Sequence, residues 1–196
     1  MKLLPKITII LVAILSCCSC SKGKKVDKEE FLEKIKEIKT NDSYKTAKIE
    51  GIFITEQGKY FDVESHCNNV SAIYEKNENG NWVKKSQNND YSDYYDRDIN
   101  HYLNDYKLNE NFSFLNVKFL GGEHTIDEEY FIKPFTLNLT TTSKRNKFLQ
   151  DGYYIETDTD NFVWNEYGDV TYFLQTSRYD GDNFVFFKRE IKITYE

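Results

Sequence analysis

The sequence predicts an α+β domain: a predominantly antiparallel curved sheet or incomplete β-barrel, with an N-terminal helix and a second, Tyr-rich helix. Three observations lead there. Apolar residues are only 39% of the 196-residue chain, yet Phe, Trp and Tyr alone are 16%, a share that disordered chains lack and that fills a folded core. Most segments after residue 40 alternate apolar or β-branched residues with polar ones, bounded by Asn, Asp and Gly. Two segments instead repeat their apolar residues at helical spacing. The length suits one domain, and with 2 Pro and 9 Gly collagen-like and linker-rich designs are excluded.

The first helix begins at Asp27, whose side chain can accept from the N–H three residues on while Glu30 reaches back, a capping box. Phe31, Ile35 and Ile38 form its apolar stripe with Leu32 at the flank, and Glu30 and Lys34 can pair at i,i+4. It should stop near Thr40-Asn41. Ala47 to Thr55 reads as a strand and Glu56-Gln57-Gly58 as a turn. Lys59 to Cys67 alternates, with Phe61, Val63 and Cys67 on one face and Asp62, Glu64 and His66 on the other. Asn68-Asn69 reads as another turn. Val70 to Lys76 and Trp82 to Lys85 flank Asn77-Glu78-Asn79-Gly80 as a hairpin. The second helix spans about Tyr91 to Lys107. Tyr91, Tyr95, Ile99, Tyr102 and Tyr106 lie within roughly 40° of one line at ~100° per residue, a stripe of Tyr rather than Leu.

A β-meander follows. Phe112 to Leu120 ends at Gly121-Gly122. Tyr130 to Thr142 reads as one strand with Pro134 at an edge or bend, since proline cannot donate to a ladder. Tyr153 to Thr157, Phe162 to Glu166, Val170 to Tyr179 and Phe184 to Tyr195 complete it. The last places Val185, Phe187, Ile191, Ile193 and Tyr195 on one face. Asp158 to Trp164 and Asp180 to Phe186 match at a period of 22 residues, which suits two similar turns, each launching a strand. Two copies are too few for a solenoid.

The N-terminus is an export signal. Lys2 and Lys6 precede the nine apolar-rich residues Ile7 to Leu15, about 14 Å long as a helix at ~1.5 Å per residue. A bilayer core is roughly 30 Å thick, so the stretch is an h-region and not a span. No later segment reaches spanning length. Ile14-Leu15-Ser16-Cys17 resembles a bacterial lipobox: a small residue lets the signal peptidase approach, and the thiol takes diacylglycerol through a thioether. Cys18 and Cys20 fit that role less well. A plain signal peptide with incidental cysteines is the alternative. Three of the 4 Cys lie between positions 17 and 20. Cys67 alone remains in the body, so no disulfide framework forms there. The expected organisation is a signal peptide over 1–16, a lipidated tether over 17–26 and a single mostly β domain over 27–196. Two or more acyl chains anchor stably, and Lys22, Lys24 and Lys25 sit where anionic headgroups would be. Loss of Lys2 and Lys6 takes the formal charge from −6 to −8. That balance argues against nucleic acid as a partner, because counterion release needs a clustered basic face.

This order of elements behind a lipobox resembles the lipoprotein-carrier-like (LolA/LppX-like) half-barrel lipoproteins, especially small ones of low-GC bacteria. The resemblance rests on the anchor, the first helix leading into Lys48-Ile49-Glu50-Gly51, and the Trp164-Asn165-Glu166-Tyr167-Gly168-Asp169 turn. The 22 Lys against 4 Arg agree with a low-GC source. The resemblance implies a curved, incomplete barrel packed against helices and able to enclose acyl chains.

Chemistry-bearing constellations are few. His66 and Cys67 point to opposite faces of a strand and cannot share an ion, which leaves Cys67 as a small core residue. Asp98, His101 and Asp105 fall on one flank of the second helix. Two carboxylates around an imidazole suit a divalent ion or acid–base work, against a solvated helix edge as the plainer reading. Asp158/Asp160/Asn161 and Asp180/Asp182/Asn183 have Phe162 and Phe184 where a calcium loop needs an oxygen ligand, so both read as turns. Lys144-Arg145-Asn146-Lys147 reads as a basic loop. Glycine-rich phosphate cradles and nucleophile elbows are absent, and nucleophilic catalysis lacks parts.

The expectation is therefore a non-enzymatic, lipid-anchored protein on the extracytoplasmic face of a cell membrane, with no metal or other cofactor. It would bind a lipid or other hydrophobic ligand in a cavity lined by Phe53, Phe61, Tyr95, Tyr102, Trp164 and Phe173, an apolar pocket being the usual ligand site. The alternative is a surface interaction or adhesion lipoprotein, with a protein or glycan partner, a closed core and no small-molecule ligand.

Overall fold

A computed structural model describes residues 23–57, 64–91, 93–109, 125–149 and 152–196. They form an open, nine-stranded antiparallel sheet in the order β1-β5-β6-β7-β8-β9-β2-β3-β4. The strands are β1 (Lys24–Val26), β2 (Thr46–Thr55), β3 (His66–Lys76), β4 (Trp82–Gln87), β5 (Thr125–Lys133), β6 (Thr136–Leu149), β7 (Gly152–Asn165), β8 (Val170–Tyr179) and β9 (Val185–Tyr195). Helices α1 (Lys28–Lys36) and α2 (Asp93–Asn104) are short beside it.

Alternation fixes one face of this sheet as the inner one. Ala47, Ile49 and Phe53 of β2, Val70, Ala72 and Tyr74 of β3, Leu137 and Leu139 of β6, Phe162 and Trp164 of β7, Phe173 of β8, and Ile191 and Ile193 of β9 are all buried. Residues one position away, such as Lys48, Glu50, Ser71 and Lys192, are exposed. Both helices pack on the inner face. Asp27 caps α1, accepting from the Glu30 N–H at 2.8 Å. Phe31 and Ile35 are buried, and the Phe31 ring lies 5.0 Å from that of Tyr130. The helix ends earlier than predicted, because the Glu37 N–H folds back to the Lys34 carbonyl at 3.2 Å, a tightened last turn. Glu30 pairs with Lys24 at 2.6 Å rather than with Lys34, which instead meets Glu37.

Two turns share one construction. The Asn77 side chain accepts from the N–H groups of Asn79 and Asn81, each at 3.0 Å. Asn165 does the same for Tyr167 at 3.0 Å and Asp169 at 2.9 Å. Such Asx turns replace the missing backbone partners of a reversing chain. Gly168 is required twice: its φ is +79°, and a β-carbon there would sit 2.3 Å from the Leu108 carbonyl oxygen. That contact lets the Leu108 N–H reach the Gly168 carbonyl at 2.8 Å, fastening the chain after α2 to the β7–β8 turn.

Several predicted elements are corrected. Asn68-Asn69 is not a turn. Both residues lie within β3, opposite Phe53 and Ile52. This register turns the even residues of β3 inward, so Cys67 is exposed rather than buried; a one-residue slip exchanges the faces. Tyr130 to Thr142 is two strands. Pro134 and Phe135 form a two-residue hairpin loop between Lys133 and Thr136, since proline lacks a ladder donor and presets φ for the first turn position. Tyr153 to Thr157 and Phe162 to Glu166 are one continuous strand, β7, and Asp158 to Asn161 are therefore strand, not turn. Asp180-Gly181 does form a turn. The basic Lys144 to Lys147 run is β6 strand paired with Thr157 to Tyr154. The last three residues of the expected tether are folded as β1 against β5. The expected strand Phe112 to Leu120, and Phe61 with Val63, lie outside the described residues.

Candidate functional site

The inner face has an apolar half and a polar half, and the six candidate liners fall mainly in the first. Trp164 and Phe173 are fully buried, Tyr102 is 1% exposed and Phe53 6%; Tyr95 is half-buried and Phe61 is outside the described residues. The structure brings them together by contact. Phe162, absent from the candidate set, is the hub: its ring lies 4.7 Å from Phe173, 5.5 Å from Trp164 and 5.7 Å from Tyr106. Tyr102 stands 4.7 Å from Phe173, and Phe53 stacks on Tyr95 at 4.0 Å. These distances fall within the range of preferred aromatic pairs, roughly 4.5–7 Å, except that of Phe53 and Tyr95, which is just below it. Four of the six residues are thus buried core, in contact with α2 and its flanks.

The hydroxyls explain why the α2 stripe is tyrosine. A buried hydroxyl must find a partner, and the sheet supplies one for each of three rings. Tyr91 shares a hydrogen bond of 2.5 Å with Tyr74. The Tyr95 hydroxyl accepts from Asn68 Nδ2 at 3.2 Å. The Tyr102 hydroxyl accepts from Arg189 Nη1 at 3.4 Å. Beyond the helix, Trp164 Nε1 donates to the Tyr106 carbonyl at 2.8 Å, and at its last residue Asn104 Oδ1 accepts from the Trp82 N–H at 3.1 Å. Leucine would give the burial without this polar registration.

The polar half continues the same strands. Thr141 and Ser143 of β6, Glu156, Asp158 and Asp160 of β7, Ser177 of β8 and Arg189 of β9 are all buried. Ser143 and Ser177 face Asp158 from either side, and Thr141 and Gln175 face Asp160. Ser177 Oγ donates to Asp158 Oδ1 at 2.5 Å. The Arg189 guanidinium lies 5.4 Å from the Phe53 ring centre and 5.7 Å from that of Phe187, a cation held over aromatic faces. Sequence reading missed this layer. Its signal was present in the unbroken parity of Glu156, Asp158, Asp160, Phe162 and Trp164, hidden by taking Asp158 to Asn161 as a turn. Arg189 likewise interrupts an otherwise apolar face of β9. Among the described residues, no three His, Cys, Asp or Glu side chains are close enough to hold a metal ion.

Two carboxylates, Asp169 in the β7–β8 turn and Glu190 on β9, are shifted in opposite directions, one by burial and the other by its hydrogen-bond partners. Asp169 is raised above its ordinary value, chiefly by burial, against the opposing pull of Lys107 at 3.2 Å. Glu190, on the outer face, is lowered, first by the hydrogen bond from Lys188. The Tyr195 hydroxyl is raised by burial and by the nearby Asp169, and donates to the Val170 carbonyl at 3.0 Å.

The His101 cluster sits elsewhere. His101 Nδ1 meets Asp105 Oδ2 at 2.5 Å, with side chains 53% and 55% exposed, so that part is a solvated helix edge. The side chain of Asp98 is outside the described set. Asp180 takes Lys144 at 2.6 Å. A groove of about 500 Å³ lies at the β5–β6 hairpin, with Ile38, Ile132 and Leu137 among its lining residues.

The hairpin tip is unusual. Phe135 has a φ of +68° and is 71% exposed, a conformation that costs a residue with a β-carbon roughly 1–2 kcal/mol. No described helix is long and apolar enough to cross a membrane. Compared with known proteins, the chain matches no family model, no curated protein and no solved structure.

Proposed function

We propose that the chain is an extracytoplasmic lipoprotein, held to a cell membrane by diacylglyceryl on Cys17, and that its half-barrel body acts as a surface interaction module. The observation that carries the choice is the burial of Phe53, Tyr102, Trp164 and Phe173 in direct contact with one another and with α2. A carrier of acyl chains needs an open apolar cavity, whereas these rings pack on one another and on α2. The tyrosine hydroxyls also tie the helix at two points, and its N-terminal flank at a third, to the sheet, which opposes its swinging away. The anchor reading is supported by the Lys2 to Cys17 signal and by β1, which secures the tether to the sheet edge.

Native mass spectrometry of the protein after gentle detergent extraction tests both parts. The expected species begins at Cys17, carries acyl mass and holds no further lipid. A species that retains residues 1–16, or that lacks acyl mass, overturns the anchor. One stoichiometric lipid beyond the anchor overturns the interaction reading in favour of a hydrophobic-ligand carrier. The groove beside Ile38, Ile132 and Leu137 is the observation that keeps the carrier as a second reading.

A further inference from the structure

The Pro134–Phe135 tip adjoins Gly23, the first described residue after Cys17. Gly23 turns there with a φ of +83°, so close to β5 that a β-carbon would lie 2.7 Å from Lys133 Cγ and 2.9 Å from the Ile132 carbonyl oxygen. Gly23 therefore abuts the last two residues of β5, immediately before the loop. Six residue steps separate Gly23 from Cys17, at most about 20 Å of extended chain. An anchored Cys17 would hold Gly23 within that distance of the bilayer, with the tip beside it.

The tip itself has the chemistry of an interfacial contact. Phe135 is directed into water at a backbone angle usually given to glycine, and 71% of it is exposed. Strain kept at an exposed site marks a position held for something other than folding. Pro134 adjoins it. Lys24, Lys34 and Lys133 lie around the same groove, together with Glu37 and Glu166. Lys24 is paired with Glu30, and Lys34 with Glu37. The net attraction to anionic headgroups is therefore modest, and insertion of the aromatic ring carries the contact, as aromatic residues do at membrane interfaces.

We propose that this hairpin tip is a membrane-contacting foot, with Phe135 and Pro134 entering the interfacial layer of the bilayer that carries the Cys17 anchor. The inference rests on the anchor reading. It also sets the orientation of the body. The β8–β9 turn lies at the other end of the sheet: Thr136 pairs near Asn165, whereas Arg178 and Val185 pair level with Thr157. Phe184 and Val185, 38% and 37% exposed, then face away from the membrane, roughly 30 Å from the foot at ~3.3 Å per strand residue.

The test uses the full acylated protein in vesicles of phosphatidylcholine and phosphatidylglycerol, with and without bromine on the phosphatidylcholine chains. One variant carries Phe135→Trp and another Phe184→Trp. The native Trp82 and Trp164 are buried and are subtracted using the parent protein. The expected result is flotation of both variants with the vesicles. The added signal of Phe135→Trp should be blue-shifted and quenched at least twofold by bromolipid, while that of Phe184→Trp stays water-like and unquenched. Flotation with an unquenched, water-like Phe135→Trp signal overturns the foot and leaves the anchor standing. Equal quenching of both variants overturns the orientation on which the foot depends. Failure to float, together with a mass lacking acyl groups, overturns the anchor and the foot with it.

Discussion

One strand carries two opposite environments on the same face. At one end of β7, Phe162 and Trp164 are packed against Phe173, Tyr102 and Tyr106. A few residues back, Glu156, Asp158 and Asp160 are buried too. The period-2 geometry of a strand places all five side chains on one side of the sheet and is indifferent to their chemistry. What differs is the covering each needs. The aromatic end gains from simple removal of water and from ring contacts. The acidic end must be supplied with donors, because a buried carboxylate without them loses more than it gains. The apolar half therefore specifies where α2 sits, and the polar half specifies which hydroxyls and cations must lie opposite.

The largest test of this contrast is Trp164→Ala. It removes a fully buried ring and the donor to the Tyr106 carbonyl. The expected cost is about 3–5 kcal/mol, read as a fall in the urea unfolding midpoint with unchanged slope. A loss below about 1 kcal/mol would mean that the aromatic end is not the structural base of the sheet. Ser177→Ala probes the other end with a far smaller change in volume. It strips Asp158 Oδ1 of a 2.5 Å donor in a buried site, so the cost should be about 1–3 kcal/mol. A neutral result would show that the polar half is hydrated and not sealed, which breaks the parallel between the two ends.

The two halves also differed in how readable they were. Alternation of Leu137 with Leu139, of Ile191 with Ile193, and the helical stripe through Tyr91, Ile99, Tyr102 and Tyr106 all identify residues that are now buried. The Asp27 cap and the Asn77 turn are local chemistry, and both form, although the Glu30 side chain meets Lys24 instead of closing the capping box. Asp158 to Asn161 misled because Asp and Asn are turn formers in isolation. Here long pairing with β6 and β8 overrides that local preference. Cys67 misled for a similar reason: the face a strand residue occupies follows from its register with β2, which is a nonlocal fact. The burial of Phe53 and Phe173 against the chain's own helix, rather than around a cavity, depends on how closely α2 approaches. No one-dimensional pattern encodes that distance.

Phe135 is an aromatic residue to which neither half of the contrast applies, and Phe135→Gly sharpens the point. Glycine accepts a φ of +68° without steric cost. The variant should be more stable than the parent by about 1 kcal/mol, visible as a raised midpoint in urea. Truncating Phe162 or Trp164 would act in the opposite direction. A destabilised Phe135→Gly would show that the exposed ring supports the fold after all.

The smallest expected effects are pH slopes, and they separate burial from solvent-side pairing by sign. The folded state holds Asp169 above its ordinary value of 3.8, mainly through burial. Its contribution is thus fully present below that value and is lost as the pH rises through the folded one. Asp169→Asn removes this downward slope, so the variant should gain on the parent as the pH rises from about 4 upward. Glu190 is held below its ordinary value of 4.5, first by Lys188 and also by the Tyr172 hydroxyl at 3.1 Å. Its contribution is present above that value and is lost as the pH falls through the folded one. Glu190→Gln should therefore fall behind the parent as the pH rises toward 4.5. Urea midpoints for the parent and both variants across pH 3 to 6, at fixed ionic strength, would give difference curves of opposite slope. Slopes of the same sign would mean that the Lys107 pairing, and not burial, governs Asp169, and the end of the sheet nearest that residue would then behave as solvent-exposed surface.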